Sequence, residues 1–275
     1  MNKSIQVKTA SSNYELVINQ ALINNYNFKW LVEGKQILVI KDSNVPKEFL
    51  DDLRTNLSKS NPSKLISIEI KTNERNKSLE GLQPIFEVLN EEKFNRDCVL
   101  ISLGGGITTD MVGFAAATYL RGVNLIQIPS TLLAQVDAAI GGKTGINIES
   151  GKNMIGSINQ PKAVYIDPII LKTLPKREIT SGFGEIIKYG LIADKLFFDD
   201  LSKWLDDIDN IPIEKCIENK KLQVLILTPT RELASQVYEE INWLKGERNL
   251  NIAAFYGGVS TVSYTHLRAH ETVLD

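Results

Sequence analysis

The N-terminal half of the chain alternates short apolar runs with amphipathic stretches. The strand-like runs read SIQVKT, YELVI, QILVIKDSNV, KLISIEI and CVLISLGGG, and the amphipathic stretches include VPKEFLDDLRTNLSK and LEGLQPIFEVLNEEKF. Runs that are apolar throughout are typical of strands buried on both faces, and helices between such strands connect them in parallel. The pattern predicts an α/β fold with a doubly wound, parallel sheet.

The pattern changes twice further along the chain. From about Leu174 it becomes helical, in KREITSGFGEIIKYGLIADKLFFDDLSKWLDD. Near Lys221 it changes to a new strand, LQVLILTPT, and a new helix, RELASQVYEEINWLKGE, while the final SYTHLRAHETVLD has no clear period. We therefore predict four segments, namely 1–173, 174–221, 222–262 and 263–275.

The composition is that of an ordinary globular protein. The 275 residues include 31 Lys and Arg against 33 Asp and Glu, so the basic excess that usually accompanies nucleic-acid binding is missing. Two cysteines, Cys98 and Cys216, are too few and too far apart for a disulfide framework or a CxxC metal cluster. No run approaches the roughly 18 apolar residues of a membrane span, and the N-terminus lacks the apolar core of a signal peptide. We expect a cytoplasmic protein without a membrane partner.

Two predicted strands end in residues that suit a ligand. VIKDSN ends on Asp42 and Asn44, and LISLGGG opens onto a glycine turn. In parallel sheets, ligands bind at the carboxyl ends of the strands. GGGITTDMVG approaches the dinucleotide fingerprint GxGxxG, but Thr109 occupies the place of the third glycine, so a phosphate loop and an ordinary glycine turn stay open. GGKTG is not a P-loop, because Asp137 stands where that motif needs a glycine.

Polar residues are dense in LLAQVDAAIGGKTGINIESGKNMIGS. This stretch holds Asp137, Lys143, Asn147, Lys152 and Asn153. The polar residues alternate with glycines and with apolar pairs, which a purely solvated loop rarely shows. Lysines placed by glycine turns suit an anionic ligand, so the stretch favours a binding site.

A long block of the chain resembles the 3-dehydroquinate synthase family. The block reads GGGITTDMVGFAAATYLRGVNLIQIPSTLLAQVDAAIGGKTGINIESGKNMIGSINQPKAVYIDPIILKTLPKREITSGFGEIIKYGLIAD, and NERNKSLE resembles the family's GExxKS segment. The resemblance extends from the N-terminus to about Lys220. It implies a Rossmann-like NAD-binding domain over 1–173, followed at 174–221 by the start of a truncated helical domain for metal and substrate.

The resemblance also implies an activity. Family members are phosphorus–oxygen lyases of the shikimate pathway that convert 3-deoxy-D-arabino-heptulosonate 7-phosphate to 3-dehydroquinate and phosphate. They use NAD for a temporary oxidation, and a Zn²⁺ or Co²⁺ ion that polarises the reacting oxygen. The family is commonly homodimeric.

The family's functional positions carry over residue by residue. The positions implied to bind NAD are Asp42, Asn44, Glu74, Lys77, Gly105, Gly106, Asp110, Ser130, Thr131, Lys143, Lys152, Thr173 and Glu178. Those implied to contact the sugar phosphate are Asp137, Lys143, Lys152, Asn153, Lys188 and, across a dimer interface, Arg121. Glu185, in GFGEIIKYG, is implied to be one of three metal ligands, and the other two are histidines of a downstream segment.

The histidines of this chain lie elsewhere. His266 and His270 are its only two, and their spacing of four would place both imidazoles on one helix face, as metal ligands often are. The family's segment, roughly GHTxGHAxE, has flanking glycines that are missing around these two. We therefore expect an incomplete metal site and turnover near zero.

The C-terminal segments resemble other sequences. LILTPTRELASQVYEEI and YGG, within 222–262, resemble part of a DEAD-box RNA helicase, although the P-loop and DEAD motifs needed for ATP hydrolysis are missing. Residues 263–275 resemble translated sequencing-adapter peptides, which predicts a chimeric reading frame. Three alternatives stay open: another sugar-phosphate cyclase, an RNA-binding helicase fragment, and an NAD-binding protein without catalysis.

Overall fold

The structure is a computed structural model that describes residues 2–9, 12–193 and 201. All of these residues belong to one compact unit, Met1–Lys221. The helicase-like segment, the C-terminal segment with His266 and His270, and most of 194–221 lie outside the described residues. The boundary predicted between 173 and 174 stays a prediction.

Seven of the described strands form one sheet in the order β1-β2-β9-β6-β5-β3-β4, and the other two form a hairpin, β7-β8. The strands are β1 (Asn2–Lys8), β2 (Asn13–Asn19), β3 (Gln36–Asp42), β4 (Lys64–Ile70), β5 (Val99–Gly104), β6 (Asn124–Pro129), β7 (Lys143–Ile148), β8 (Gly151–Ile158) and β9 (Ala163–Ile166). Strands β2, β9, β6, β5, β3 and β4 pair in parallel, which confirms the predicted α/β class. β1 pairs with β2 in antiparallel fashion, because the short connection between them cannot form a crossover.

Helices cover both faces of the sheet. Those described are α1 (Leu22–Asn25), α2 (Lys29–Val32), α3 (Lys47–Ser58), α4 (Leu79–Glu91), α5 (Gly106–Thr118) and α6 (Lys176–Ala193). α4 begins after Ser78, whose hydroxyl accepts a hydrogen bond from the Gly81 N–H, as a helix cap should. None of the described helices is long and apolar enough to cross a membrane.

The core has two parts, one on each face of the sheet. Successive residues of β3 alternate between them: Ile37 and Val39 pack into one cluster, and Leu38 and Ile40 into the other. This alternation follows from the period of two along a strand. It explains why β3 is apolar on both faces.

Two peripheral elements pack on this framework. α6 places Phe183 and Ile186 in the cluster that contains Ile37 and Val39 of β3. The β7-β8 hairpin packs on α5 at Gly113, where an added Cβ would lie 2.3 Å from the Thr144 Cγ2. The hairpin can therefore approach the helix only because residue 113 lacks a side chain.

Candidate functional site

The carboxyl ends of three neighbouring strands lie at one edge of the sheet. β3 ends at Asp42, β5 at Gly104 and β6 at Pro129, and these strands are parallel neighbours. We call this edge the carboxyl edge. Ligands of open α/β sheets bind outside such an edge.

Asp42 organises the turn that follows β3. Its Oδ1 accepts hydrogen bonds from the Asn44 backbone N–H at 2.8 Å and from the Asn44 Nδ2 at 3.0 Å. Its Oδ2 accepts from the hydroxyls of Thr108, at 3.2 Å, and Thr72. Because the carboxylate is buried and engaged on both oxygens, it fixes the turn and leaves Asn44 exposed at its tip.

The glycine turn after β5 brings backbone, rather than side chains, to the same edge. Gly105 is the residue before the first turn of α5, and no side chain caps that end of the helix. A Cβ on Gly105 would lie 3.0 Å from the Thr131 Cγ2, and the Ser130 N–H donates to the Gly104 carbonyl at 2.8 Å. The uncapped N–H groups and the helix dipole suit a pyrophosphate.

Thr109 occupies the third glycine position of the fingerprint and is buried in α5. Its hydroxyl donates to the Gly106 carbonyl at 2.9 Å, and its own carbonyl accepts from the Gln127 Nε2 at 3.1 Å. The threonine is thus accommodated within the helix by local hydrogen bonds.

Beside the glycine turn, Lys77 joins α5 to the hairpin. Its side chain is 6% exposed, and its ammonium donates to the Asp110 carboxylate and, at 2.5 Å, to the Asn153 Oδ1. Burial raises the pKa of the Asp110 carboxyl, Lys77 lowers it, and the charges of Asp137 and Glu74 raise it further, so the net pKa is above the ordinary aspartate value.

Glu74 extends this group towards the hairpin. Its carboxylate accepts from the Asn147 Nδ2 at 3.1 Å and pairs with the Lys152 Nζ at 3.3 Å. Partial burial would raise the pKa of Glu74, but these two partners lower it overall. Asn147 also accepts from the Asn153 backbone N–H at 2.9 Å, which links Glu74 to the Lys77 contacts.

A second group lies where α6 packs on the turn that follows β6. Asp137 belongs to one turn of π-helix, Ala134–Ala138, and its Oδ1 accepts a hydrogen bond from the Tyr189 hydroxyl at 2.8 Å. Tyr189 also interacts with Glu185, which pairs with Lys188 one turn along α6. Burial, together with the neighbouring carboxylates, raises the pKa of the Tyr189 phenol.

The two groups are close enough for the charge of Asp137 to act on Asp110. We call the combined set the polar strip. It consists of Glu74, Lys77, Asp110, Asp137, Asn147, Lys152, Asn153, Glu185, Lys188 and Tyr189.

Other residues implied by the resemblance lie outside the polar strip. Thr173 and Glu178 are exposed near the start of α6, and Lys143, at the start of β7, is also exposed. Arg121 precedes β6, so it lies at the edge of the sheet opposite the carboxyl edge. None of the side-chain hydrogen bonds or ion pairs described above joins these four residues to the strip.

The described residues do not fit a catalytic metal. Nowhere in 2–9, 12–193 or 201 do three or more His, Cys, Asp or Glu side chains form a group that could hold an ion. Glu185 is instead paired with Lys188. The metal prediction therefore depends on residues outside the described part.

Three contributors to the site were not found by inspecting the sequence. Thr72 and Thr108 bind Asp42, and Tyr189 binds Asp137. The two threonines carry no pattern of their own, since their meeting with Asp42 depends on the register of the sheet. The sequence did carry one sign of Tyr189, because this residue lies in GFGEIIKYG, the segment that also holds the predicted site residues Glu185 and Lys188.

Comparison with solved structures shows which proteins share the fold. ValA, the 2-epi-5-epi-valiolone synthase from Streptomyces hygroscopicus subsp. jinggangensis solved with NAD+ and Zn2+, matches with a TM-score of 0.71 and 24% identity over 88% of this chain and 65% of its own. A 2-deoxy-scyllo-inosose synthase, solved with carbaglucose-6-phosphate, NAD+ and Co2+, matches with a TM-score of 0.68 and 22% identity over 89% of this chain and 70% of its own. The chain thus has the fold of the sugar-phosphate cyclases.

Sequence comparison finds relatives among the 3-dehydroquinate synthases. Residues 67–181 match the family model for the 3-dehydroquinate synthase N-terminal region. The 3-dehydroquinate synthase of Teredinibacter turnerae is 42% identical over 225 residues, which are 82% of this chain and 60% of that protein. The chloroplastic enzyme of Solanum lycopersicum is 43% identical over 197 residues, 71% of this chain and 45% of that protein. The chain spans 60% and 45% of the length of these two relatives.

A second family model matches further along. Residues 208–273 match the DEAD/DEAH box helicase model. The match begins before the predicted boundary at 222 and extends into the predicted segment 263–275. All of it lies outside the described residues.

Proposed function

We propose that this chain carries the cofactor-binding part of a 3-dehydroquinate synthase and binds NAD at the carboxyl edge. The support is the sequence identity to curated synthases together with the strand ends that carry Asp42 and the glycine turn. The residues present fit a dinucleotide, because an uncapped helix N-terminus and a turn without side chains leave room for a pyrophosphate. NAD held beside Asp42 and the glycine turn would supply a reversible hydride acceptor for the substrate.

The observation that carries the proposal is the polar strip. Its members come from the loop before α4, from α5, from the β7-β8 hairpin, from the π-helical turn and from α6, yet side chains from different elements contact one another within each of its two groups. A merely solvated surface does not bury an ammonium at 6% exposure between a carboxylate and an amide. The strip is a built polar surface next to the proposed cofactor site.

The substrate of this site is a sugar phosphate, 3-deoxy-D-arabino-heptulosonate 7-phosphate, which is converted to 3-dehydroquinate and phosphate. Lys143, Lys152 and Lys188 supply cations for the carboxylate and the phosphate, while Asp137 and Asn153 hold hydroxyl groups. Arg121 contributes from the partner of a homodimer, which agrees with its place at the opposite edge of the sheet. We assign the protein to the cytoplasm.

Turnover by the 275-residue chain is near zero in this proposal. The metal would be a Zn²⁺ or Co²⁺ ion held by Glu185 and two histidines, but the described residues offer no three-ligand group. His266 and His270, the only histidines of the chain, lie in a segment without the flanking pattern of the family's ligands.

The test is a coupled assay that follows dehydroquinate and phosphate release from the purified chain, supplied with NAD and added zinc. We expect phosphate release at background level together with calorimetric NAD binding. Normal turnover would contradict the proposed inactivity, while a folded chain that does not bind NAD would contradict the cofactor assignment. A matched full-length synthase serves as the positive control.

Another cyclase activity is the second candidate, because both cyclase structures share the fold. Calorimetric titration of the NAD-saturated chain separates the two, since the synthase assignment predicts binding of 3-deoxy-D-arabino-heptulosonate 7-phosphate and none of glucose 6-phosphate. The reverse preference would favour the second candidate.

The match over 208–273 raises a rival function for the C-terminal part alone, namely RNA binding by a helicase fragment. We propose that this fragment has no helicase function and that 263–275 comes from a chimeric reading frame. Filter binding with single-stranded RNA should show no specific retention, and long-read sequencing of the locus should not recover one continuous expressed frame. Specific RNA retention would contradict the first statement, and one continuous expressed frame would contradict the second.

A further inference from the structure

Lys41 is a buried lysine that the family resemblance does not explain. It lies on β3, directly before the turn Asp42–Val45, and faces Glu69 in the register of β3 and β4. Its side chain is 2% exposed. Lysine is among the residues that are almost never fully buried unless they are paired, so its partners should explain its place.

All three donors of the Lys41 ammonium are used. The Nζ donates to the Asp42 carbonyl at 2.9 Å and to the Val45 carbonyl at 2.7 Å, and it pairs with the Glu69 Oε2 at 2.9 Å. An ammonium has three N–H groups and no acceptor, so this set satisfies it completely. The first two partners are the first and last residues of one turn.

That turn has few other ties. The Val45 N–H donates to the Asp42 carbonyl at 3.0 Å, and the Ser43 N–H donates to the Ile70 carbonyl at 2.9 Å. Val45 is 5% exposed, and within the described residues its carbonyl accepts one hydrogen bond, from the Lys41 ammonium. Without the ammonium, this buried carbonyl would have no donor. An unsatisfied carbonyl in such a place is costly, so the turn would rearrange.

We propose that Lys41 is a positioning residue for the cofactor: by holding both ends of the turn Asp42–Val45, it fixes Asp42 and Asn44 in the arrangement that receives NAD. This inference rests on the proposed function, because the role of the turn in binding NAD belongs to that proposal. Lys41 itself does not touch the cofactor, since its three donors are already engaged.

The first experiment compares NAD affinity in Lys41→Met and Lys47→Met by calorimetry, with circular dichroism to establish that each variant is folded. Lys47 is the matched control, because it lies just after the same turn but its side chain is 82% exposed. Its ion pair with Asp51 is long, with 4.0 Å between Nζ and Oδ2. We expect Lys41→Met to weaken NAD binding about tenfold or more, as loss of charge-assisted hydrogen bonds would, and Lys47→Met to change it by less than about twofold. A folded Lys41→Met chain with wild-type affinity would overturn the inference.

A second variant keeps the test decisive if Lys41→Met fails to fold. Glu69→Gln retains an acceptor for the ammonium but removes its counter-charge at an exposed position. We expect weaker NAD binding, about threefold, and faster amide hydrogen exchange in the turn Asp42–Val45. A lower melting temperature with unchanged affinity and exchange would mean a merely structural lysine and overturn the inference. Failure of the wild-type chain to bind NAD would instead overturn the proposed function.

Discussion

Replacing Lys77 by methionine tests whether the polar strip is a built, interdependent structure. Methionine is unbranched and only one atom shorter than lysine, so the change removes the charge and two hydrogen bonds with little change in volume. The Asp110 carboxylate then loses its cation while its neighbours Asp137 and Glu74 stay negative.

The magnitude follows from burial. Breaking a buried ion pair by removing one partner costs about 3–5 kcal/mol, and Asp110 is 22% exposed, so we expect a value near the lower end, about 3 kcal/mol. For a domain of this size, that corresponds to a fall in melting temperature of about 6–12 °C. The exposed Lys71→Met variant, from the neighbouring loop, should shift the free energy of unfolding by less than about 0.5 kcal/mol.

The loss of unfolding free energy in Lys77→Met should also depend on pH. Lys77 lowers the pKa of Asp110, so its removal raises that pKa further above the ordinary aspartate value. A carboxyl whose pKa is raised in the folded state binds more protons than in the unfolded state, so its effect on stability becomes more unfavourable as the pH rises from about 4 through the raised pKa. The destabilisation in Lys77→Met should therefore be larger at neutral than at acidic pH.

Urea titration of the wild type, Lys77→Met, Asp110→Asn and the double variant measures these quantities. We expect the double variant to recover at least about 1 kcal/mol relative to Lys77→Met, because it leaves no unpaired carboxylate. A Lys77→Met chain within about 0.5 kcal/mol of wild type, or a double variant that is less stable than either single one, would refute the reasoning.

Three further outcomes are expected. Gly104→Ala should lower the free energy of unfolding by about 1–3 kcal/mol in urea titration, because the new Cβ would lie 2.3 Å from the Thr108 Oγ1; an unchanged value would contradict the close packing. Asp167→Asn should cost about 1–3 kcal/mol in the same assay, since a carboxylate that is 3% exposed accepts from three backbone N–H groups, and stability equal to wild type would count against that role. In a Cys216→Ser background, burial that raises the pKa of the Cys98 thiol to about 11 should prevent labelling by a disulfide reagent at about pH 8 until urea unfolds the chain, and rapid labelling of the native chain would disprove it.

Two central strands of the sheet, β3 and β5, were predictable because each contains a long apolar run. QILVIKD forms β3 and VLISLG forms β5, both nearly or fully buried. Burial on both faces is the physical property that a parallel sheet imposes, so it shows in the local sequence. The helical pattern from Lys176 likewise predicted α6.

The contacts within the site were much less predictable. Asp42 meets Thr72 and Thr108 only because β3, β4 and β5 stack in a particular register, and no local pattern encodes that meeting. Lys41 was unpredictable for a different reason, because its hydrophilic side chain interrupts an apolar run that otherwise indicates burial. Its burial depends on two backbone carbonyls and Glu69, which are placed by the turn and by the neighbouring strand.

The most direct test of the central claim is a calorimetric titration of NAD into the folded 275-residue chain, with Gly105→Val as the matched variant. A valine side chain would enter the space beside Thr131 and cover the backbone that we expect the pyrophosphate to contact. The account predicts saturable, one-to-one binding by the wild type and at least about tenfold weaker binding by the variant. A folded wild-type chain that shows no saturable NAD binding, or a variant that binds as tightly, would contradict it.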